Sequence, residues 1–145
     1  MAKAEYAYTA IELPPTDVYP SGKTAYRPIV SATVTASNGN AVRSLVLLDS
    51  GADACLFSME MANQLSLDIS QLPNFLTGGV GSTSNVTYYD TVTVDLGDGV
   101  RFEAYAAFTR GLDQVGLGLL GQSGFFEQFR VQFDHRRKTF SIETA

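Results

Sequence analysis

The sequence predicts a mainly β domain whose strands close into a barrel-like sheet. Short runs rich in Val, Thr, Tyr and Phe are separated by residues typical of turns. Asn38-Gly39 and Asp98-Gly99 are pairs that favour the tight turns of hairpins, since they tolerate positive φ angles. The chain shows no long amphipathic helix and no long-period repeat. These observations together favour a mainly β fold with short helices.

Three hairpins and two short helices are expected along the chain. The hairpins span residues 26–49, 88–108 and 129–143, and the last one turns at its charged middle. A serine precedes each helix, and its hydroxyl can cap the free N–H groups of a first turn. Ser58 is the expected N-cap of a helix in "SMEMANQLSLD", and Ser123 that of a helix in "SGFFEQF".

Length and composition indicate one globular domain. With 145 residues, 45% of them hydrophobic, the chain is large enough for one core and too small for two. Residues 1–24 contain the stretches "LPP" and "YPSGK" and are expected to form an irregular N-terminal extension. The folded domain is then expected over residues 25–145.

The distribution of charge argues against several classes of partner. The 10 Lys and Arg residues and the 15 Asp and Glu residues are spread along the chain and give a net charge of −5. Phosphate neutralisation needs clustered basic residues, so no nucleic-acid partner is expected. The sequence shows no signal-peptide core and no apolar run of membrane-spanning length. A cytoplasmic location without a membrane partner is therefore expected.

The Cys and His content argues against a metal site. Cys55 is the single cysteine, which excludes an intramolecular disulfide and a cysteine-rich metal site. His135, the single histidine, lies in the charged turn of the third hairpin and is expected to be solvated. Because no histidine base is at hand, Cys55 is expected to be a small core residue rather than a nucleophile. No metal and no cofactor are expected.

The stretch "SLVLLDSGADACLFS", residues 44–58, places a carboxylate at the end of an apolar run. The run is typical of a buried strand, which is a costly place for a charge. Ser50 and Gly51 follow Asp49 directly and make a turn in which backbone N–H groups can hold the carboxylate. An isolated Asp-Ser-Gly is also typical of a simple Asx turn, so the rest of the sequence must decide between the two readings.

Two further segments accompany this loop. "LTGGVGS", residues 76–82, is rich in glycine, and "LGLLGQSGFFEQF", residues 117–129, is apolar around a glycine. With "LLDSGADA", residues 47–54, they resemble the flap tip, the closing segment and the catalytic loop of the single-domain retropepsin-like aspartic proteases of retroviruses and their cellular and bacterial relatives. The order and intervals are also similar, and the resemblance covers roughly residues 26–143.

The resemblance implies a retropepsin-like acid-protease barrel and an aspartic endopeptidase that hydrolyses peptide bonds in extended polypeptides. Two carboxylates that share one proton can act as base toward a bound water and as acid toward the carbonyl oxygen. This chain contains one Asp-Ser/Thr-Gly loop only, at Asp49. The second carboxylate must then come from another copy of the chain, which makes a homodimer a requirement of the mechanism.

The resemblance also implies roles for the neighbours of Asp49. The hydroxyl of Ser50 is expected to point toward the partner subunit's loop, and Gly51 lets the substrate backbone approach closely. Ala52 belongs to the same active-site loop. The flap tip, which closes on the peptide and binds its backbone, is expected at Gly78, Gly79, Val80 and Gly81.

One position departs from the retroviral pattern. There, the aspartate after the catalytic Ala pairs with an arginine that follows the later glycine, whereas this chain has Asp53 but places Gln122 after Gly121. Glutamine donates or accepts hydrogen bonds but cannot neutralise a charge. Asp53 is therefore expected to face the substrate, to pair with Arg110 or another arginine, or to stay solvated.

Two other functions stay open at this stage. A catalytically silent dimer could keep the fold as a peptide-binding or interaction module, although neither the Asp-Ser-Gly-Ala loop nor the glycine-rich segment is needed for a stable β domain. A glycosidase also uses paired carboxylates, but the chain has no Trp to stack on a sugar.

By analogy with the family, the C-terminal strand within "TFSIE", residues 139–143, is expected at the dimer interface.

Overall fold

The computed structural model describes residues 3–78 and 84–145. They form one short α-helix, α1 (Met59–Gln64), and two single 3-10 turns, Ile69–Gln71 and Arg110–Leu112. The strands are β1 (Ala4–Ala7), β2 (Thr9–Leu13), β3 (Lys23–Arg27), β4 (Ile29–Ala36), β5 (Ala41–Leu48), β6 (Leu56–Ser58), β7 (Asn74–Gly78), β8 (Ser84–Gly97), β9 (Val100–Thr109), β10 (Gly118–Leu120), β11 (Phe129–Asp134) and β12 (Thr139–Thr144).

The main sheet closes on itself. Its strands follow the order β4-β5-β10-β6-β9-β8-β7, and β4 also pairs with β8. Most neighbours are antiparallel, but β10 runs parallel to β5, and β6 runs parallel to β9. The large side chains of Phe57, Phe108 and Phe125 are fully buried inside this sheet. The prediction of a mainly β, barrel-like fold with short helices is confirmed.

All three predicted hairpins are present. β4 and β5 turn at Asn38-Gly39, where Gly39 has a φ of 89°. β8 and β9 turn at Asp98-Gly99, where both residues have positive φ angles, as this kind of turn requires. β11 and β12 turn through the charged segment 135–138. The local turn chemistry was sufficient to place each of them.

The two predicted helices have different outcomes. Ser58 caps α1 as expected, because its hydroxyl accepts a hydrogen bond from the N–H of Met61 at 3.1 Å. The helix predicted after Ser123 is wrong: this segment forms successive turns before β11. Gly124 has a φ of 99°, which is incompatible with a right-handed helix, and the side chain of Glu127 accepts from its N–H instead.

The N-terminal segment is more regular than the sequence suggested. β1 pairs with β12, with Ala4 opposite Ile142, and β2 pairs with β3. The irregular conformation expected for residues 1–24 is therefore wrong where β1 and β2 form, while the division between residues 1–24 and 25–145 stays a prediction.

β12 lies between β1 and β11, so both of its edges are already hydrogen-bonded within the chain. The expected interface role of residues 139–143 therefore cannot rest on backbone pairing of this strand with a second copy.

None of the helices in the described residues is both long and apolar enough to cross a membrane.

Candidate active site

Asp49 lies directly after β5, the strand that the apolar run predicted. Val46 and Leu48 of this strand are buried, and Asp49 itself is half-buried. The N–H of Asp49 donates to the carbonyl oxygen of Leu120 at 2.9 Å, and the N–H of Leu48 donates to that of Pro28 at 3.0 Å. These bonds fix the position at which the strand ends and the loop begins.

The loop after β5 holds the carboxylate. The N–H of Gly51 donates to Oδ1 of Asp49 at 3.0 Å, and the N–H of Ala52 donates to the Asp49 carbonyl oxygen at 3.1 Å. A β-carbon on Gly51 would lie 3.2 Å from the same Oδ1, which is a tight contact. The bond from Gly51 to the Asp49 side chain is that of the Asx turn which the sequence left open, so the fold and the cavity in front of Asp49 carry the functional argument; Ser50 lies exposed.

Residues 120–123 of the closing segment are hydrogen-bonded along the length of this loop. The N–H of Gln122 donates to the carbonyl oxygen of Ala52 at 2.9 Å, and the N–H of Ser123 donates to that of Asp53 at 2.9 Å. The side-chain Nε2 of Gln122 donates to the carbonyl oxygen of Ser50 at 2.8 Å. The sequence identified Gln122 only as the residue that stands where the retroviral pattern has an arginine. Its contact with Ser50 was not predicted.

Asp49 opens onto a cleft of about 500 Å³. Apolar side chains from several strands form most of its walls, so the cleft offers an apolar surface beside a carboxylate. Ala52 and Asp53 line it as well, which brings three of the predicted loop residues to one cavity. Among the other lining residues, which sequence reasoning did not single out, are Leu56, Thr87, Tyr89, Thr109 and Leu119.

Asp53 is exposed at the cleft and has no ion-pair partner in the part of the chain that the structure describes. The ion pairs found there join Arg101 to Asp95 and Arg130 to Glu143, so Arg110 does not neutralise Asp53. Of the alternatives that the sequence left open, pairing with Arg110 is wrong within this chain. The Asp53 carboxylate remains free to face a substrate or solvent.

The glycine-rich segment joins two strands at the cleft. β7 and β8 pair antiparallel up to Gly78 and Ser84, and β8 supplies Thr87 and Tyr89 to the cleft wall. Gly79, Val80 and Gly81, expected at the flap tip, lie outside the described residues. β8, one of the two strands that lead to this tip, therefore borders the cavity that holds Asp49.

The cysteine and the histidine lie apart from this chemistry. Cys55 is fully buried, and burial raises the pKa of its thiol to about 11, so it stays protonated and unreactive. His135 is exposed in the turn between β11 and β12 and contacts the ring of Tyr8. No group of three or more His, Cys, Asp or Glu side chains within residues 3–78 and 84–145 is placed to hold a metal ion.

Comparison with known proteins identifies the fold. The chain is similar to the crystal structure of a retropepsin-like aspartic protease from Rickettsia conorii, with a TM-score of 0.56 and 19% identity over 92% of this chain and 98% of that one. It also matches EIAV protease complexed with the inhibitor HBY-793, with a TM-score of 0.44 and 21% identity over 66% of this chain and 81% of that one. No family model and no curated protein matches the sequence. The similarity to the Rickettsia conorii structure shows that the chain has the retropepsin-like fold that the three sequence motifs implied.

Proposed function

We propose that this protein is a homodimeric aspartic endopeptidase that hydrolyses peptide bonds in extended polypeptides. One observation carries the proposal: in a retropepsin-like fold, Asp49 directly follows the buried end of β5, is held by the N–H of Gly51, and opens onto an apolar cleft. A carboxylate that served only to close a turn would need no cavity in front of it. The fold, the loop and the cleft all support the same chemistry.

Peptide hydrolysis needs a base and an acid at one carbonyl group. In the proposed reaction, two Asp49 carboxylates share one proton. The ionised carboxylate accepts a proton from water as the water oxygen attacks the carbonyl carbon. The protonated carboxylate gives its proton to the carbonyl oxygen. The tetrahedral intermediate then collapses. The carboxylate that took the proton of water gives it to the amine nitrogen as the C–N bond breaks, and a hydroxyl of the intermediate returns a proton to the other carboxylate, so that the pair again shares one proton.

The second carboxylate in this proposal belongs to a second copy of the chain. The sequence has one Asp-Ser/Thr-Gly loop, so a single subunit supplies only half of the catalytic pair. A two-fold axis between the loops would bring the two Asp49 residues together. Ser50 is exposed beside Asp49, which agrees with a hydroxyl that faces the partner subunit's loop.

The substrate in this proposal lies extended along the cleft, beneath the hairpin of β7 and β8. Gly51 lacks a side chain that would keep the peptide backbone away, and Asp53 offers a carboxylate at the cleft. The segment expected to close over the peptide contains Gly78, Gly79, Val80 and Gly81.

The test compares the wild-type protein with Asp49→Asn on a denatured protein mixture, with and without a peptide inhibitor whose hydroxyl mimics the tetrahedral intermediate. We expect wild-type cleavage that the inhibitor stops, and no cleavage by Asp49→Asn, because Asn cannot take part in the shared proton. Circular dichroism and sedimentation should show that the variant keeps the fold and the assembly of the wild type. Cleavage by a pure Asp49→Asn protein would place the site elsewhere. A wild type that binds peptides without cutting them would be the silent peptide-binding module instead.

A further inference from the structure

The side chain of Gln122 bonds to the catalytic loop at a place that the backbone bonds do not reach. Three main-chain hydrogen bonds already join the loop to the closing segment, with donors at Asp49, Gln122 and Ser123. Any residue at position 122 except proline supplies the same N–H. What glutamine adds is the bond from its Nε2 to the carbonyl oxygen of Ser50, at 2.8 Å.

The carbonyl group of Ser50 and the N–H of Gly51 belong to the same peptide unit. That unit is rigid and planar, so a hydrogen bond that fixes its carbonyl also fixes the direction of its N–H. The N–H in question donates to Oδ1 of Asp49 at 3.0 Å. A donor on the carbonyl oxygen also polarises the peptide group, which strengthens the bond that its N–H gives.

We infer that Gln122 is a positioning residue for Asp49, acting through the Ser50–Gly51 peptide. It aims the N–H that holds the catalytic carboxylate and keeps that carboxylate at a fixed angle toward the cleft. This inference rests on the function proposed above, and it assigns a task to the residue that stands where retroviral relatives have an arginine.

Gln122→Met tests the inference, because methionine has a similar length but donates no hydrogen bond. The exposed position and the retained backbone bonds predict that the variant folds. We expect kcat on a peptide substrate to fall about tenfold while KM changes less than about twofold, since the lost interaction orients the catalytic group rather than the substrate. Gln122→Ala, which removes the donor without adding a new side chain, should give the same pattern.

Gln128→Met is the matched control. Nε2 of Gln128 also donates to backbone carbonyls, those of Gly124 at 2.7 Å and Glu103 at 3.0 Å, but neither carbonyl belongs to the loop of Asp49. The control variant should keep the wild-type kcat even if it loses some stability. A kcat for Gln122→Met that equals that of Gln128→Met would overturn the inference.

A second readout separates positioning from general weakening of the fold. We would measure binding of a peptide inhibitor with a central hydroxyl and of its analogue without that hydroxyl. Gln122→Met should weaken binding of the hydroxyl inhibitor about tenfold and leave the affinity for the analogue unchanged. Only the hydroxyl inhibitor makes hydrogen bonds that depend on the position of the carboxylates. Equal weakening of both inhibitors would show a merely structural role. If the wild type itself failed to cleave, the proposed function would fall; an active wild type with normal Gln122 variants would remove only this inference.

Discussion

A β-carbon on Gly121 would lie 2.2 Å from the carbonyl oxygen of Ala54. It would also lie 2.7 Å from the carbonyl oxygen of Ala52, so the backbone of the closing segment directly contacts the backbone of the Asp49 loop at two points. No side chain can fit between two main chains at this separation. The glycine that the sequence motif contained is thus explained by the contact that holds the Asp49 loop in place.

We predict that Gly121→Ala lowers the free energy of unfolding by about 3 kcal/mol, the upper part of the range for overpacking, because both contacts are to backbone atoms that cannot rotate away. Urea unfolding followed by circular dichroism would measure it. Gly116→Ala is the comparison, because Gly116 has a φ of 76° but open space around its α-carbon. Only the backbone strain should lower the free energy of unfolding of this variant, by about 1 kcal/mol. Equal losses for the two variants would contradict the steric explanation.

The parts of the fold that sequence predicted well depend on neighbours along the chain. Asn38-Gly39 and Asp98-Gly99 set their turns by local preference, and Ser58 caps a helix that starts beside it. The closure of the barrel is different, because β4 pairs with β8, and β5 with β10, across long stretches of intervening chain. Such long-range pairings leave no local signal, so the sequence predicted a barrel-like sheet but not which strands pair across it.

The features that the sequence predicted wrongly or missed depend on conformations and contacts that its local pattern does not show. The sequence "SGFFEQF" has apolar residues at helical spacing, but Gly124 adopts a positive φ that breaks the helix. β1 became a strand because β12 offers it an edge at the opposite end of the chain. The bond from Gln122 to Ser50 could not be predicted either, since it joins side chain and backbone across the loop interface. What the sequence did predict at the site, Asp49 with its turn, is again local.

Cys55 should make the stability of the protein sensitive to alkaline pH. Burial raises the pKa of its thiol from 9.0 to about 11, so above about pH 9 the unfolded chain loses a proton that the folded chain keeps. The stabilisation by the neutral buried thiol is fully present below this pH and is lost as the pH rises to about 11. A shift of two pKa units corresponds to about 3 kcal/mol of folding free energy.

The measurement compares the free energy of unfolding of wild type and Cys55→Ala from about pH 8 to about pH 11. Cys55→Ala loses packing at every pH, but it lacks the thiol, so the gap between the two proteins should narrow as the pH rises. Tyr6 and Tyr8, whose pKa values are also raised by burial, are present in both proteins and cancel in the difference. A gap that stayed constant would mean that the thiol ionises as readily in the folded state.

Asp53 should give the proposed protease a preference for cationic substrates. Its carboxylate is exposed at the cleft, and no Lys or Arg of the described chain pairs with it. We expect peptides with a Lys flanking the cleavage site to be cut several-fold more efficiently than the same peptides with Gln, and salt should weaken this preference by screening. Asp53→Asn should abolish the preference.

Asp98→Asn is the control for Asp53→Asn. Asp98 is an exposed carboxylate in the turn between β8 and β9, away from the cleft lining, and asparagine tolerates its φ of 52°. This variant should keep the full Lys preference. An Asp53→Asn protein that still cleaved Lys peptides more efficiently than Gln peptides would contradict this role. Another group, such as an acidic residue of the partner subunit, would then bind the lysine of the substrate.

Mixing subunits should reveal whether one active site needs two chains. When wild type and Asp49→Asn are unfolded together and refolded, random pairing yields active dimers in proportion to the square of the wild-type fraction, provided that a pair with one Asp49 is inactive. At equal amounts, about a quarter of the dimers should carry both carboxylates, so activity per wild-type chain should halve. Mixing with Asp98→Asn, whose cleft is intact, should cause no loss. Activity that stayed proportional to the wild-type chains in the Asp49→Asn mixture would mean that each chain carries a complete site, and the shared carboxylate pair would have to be abandoned.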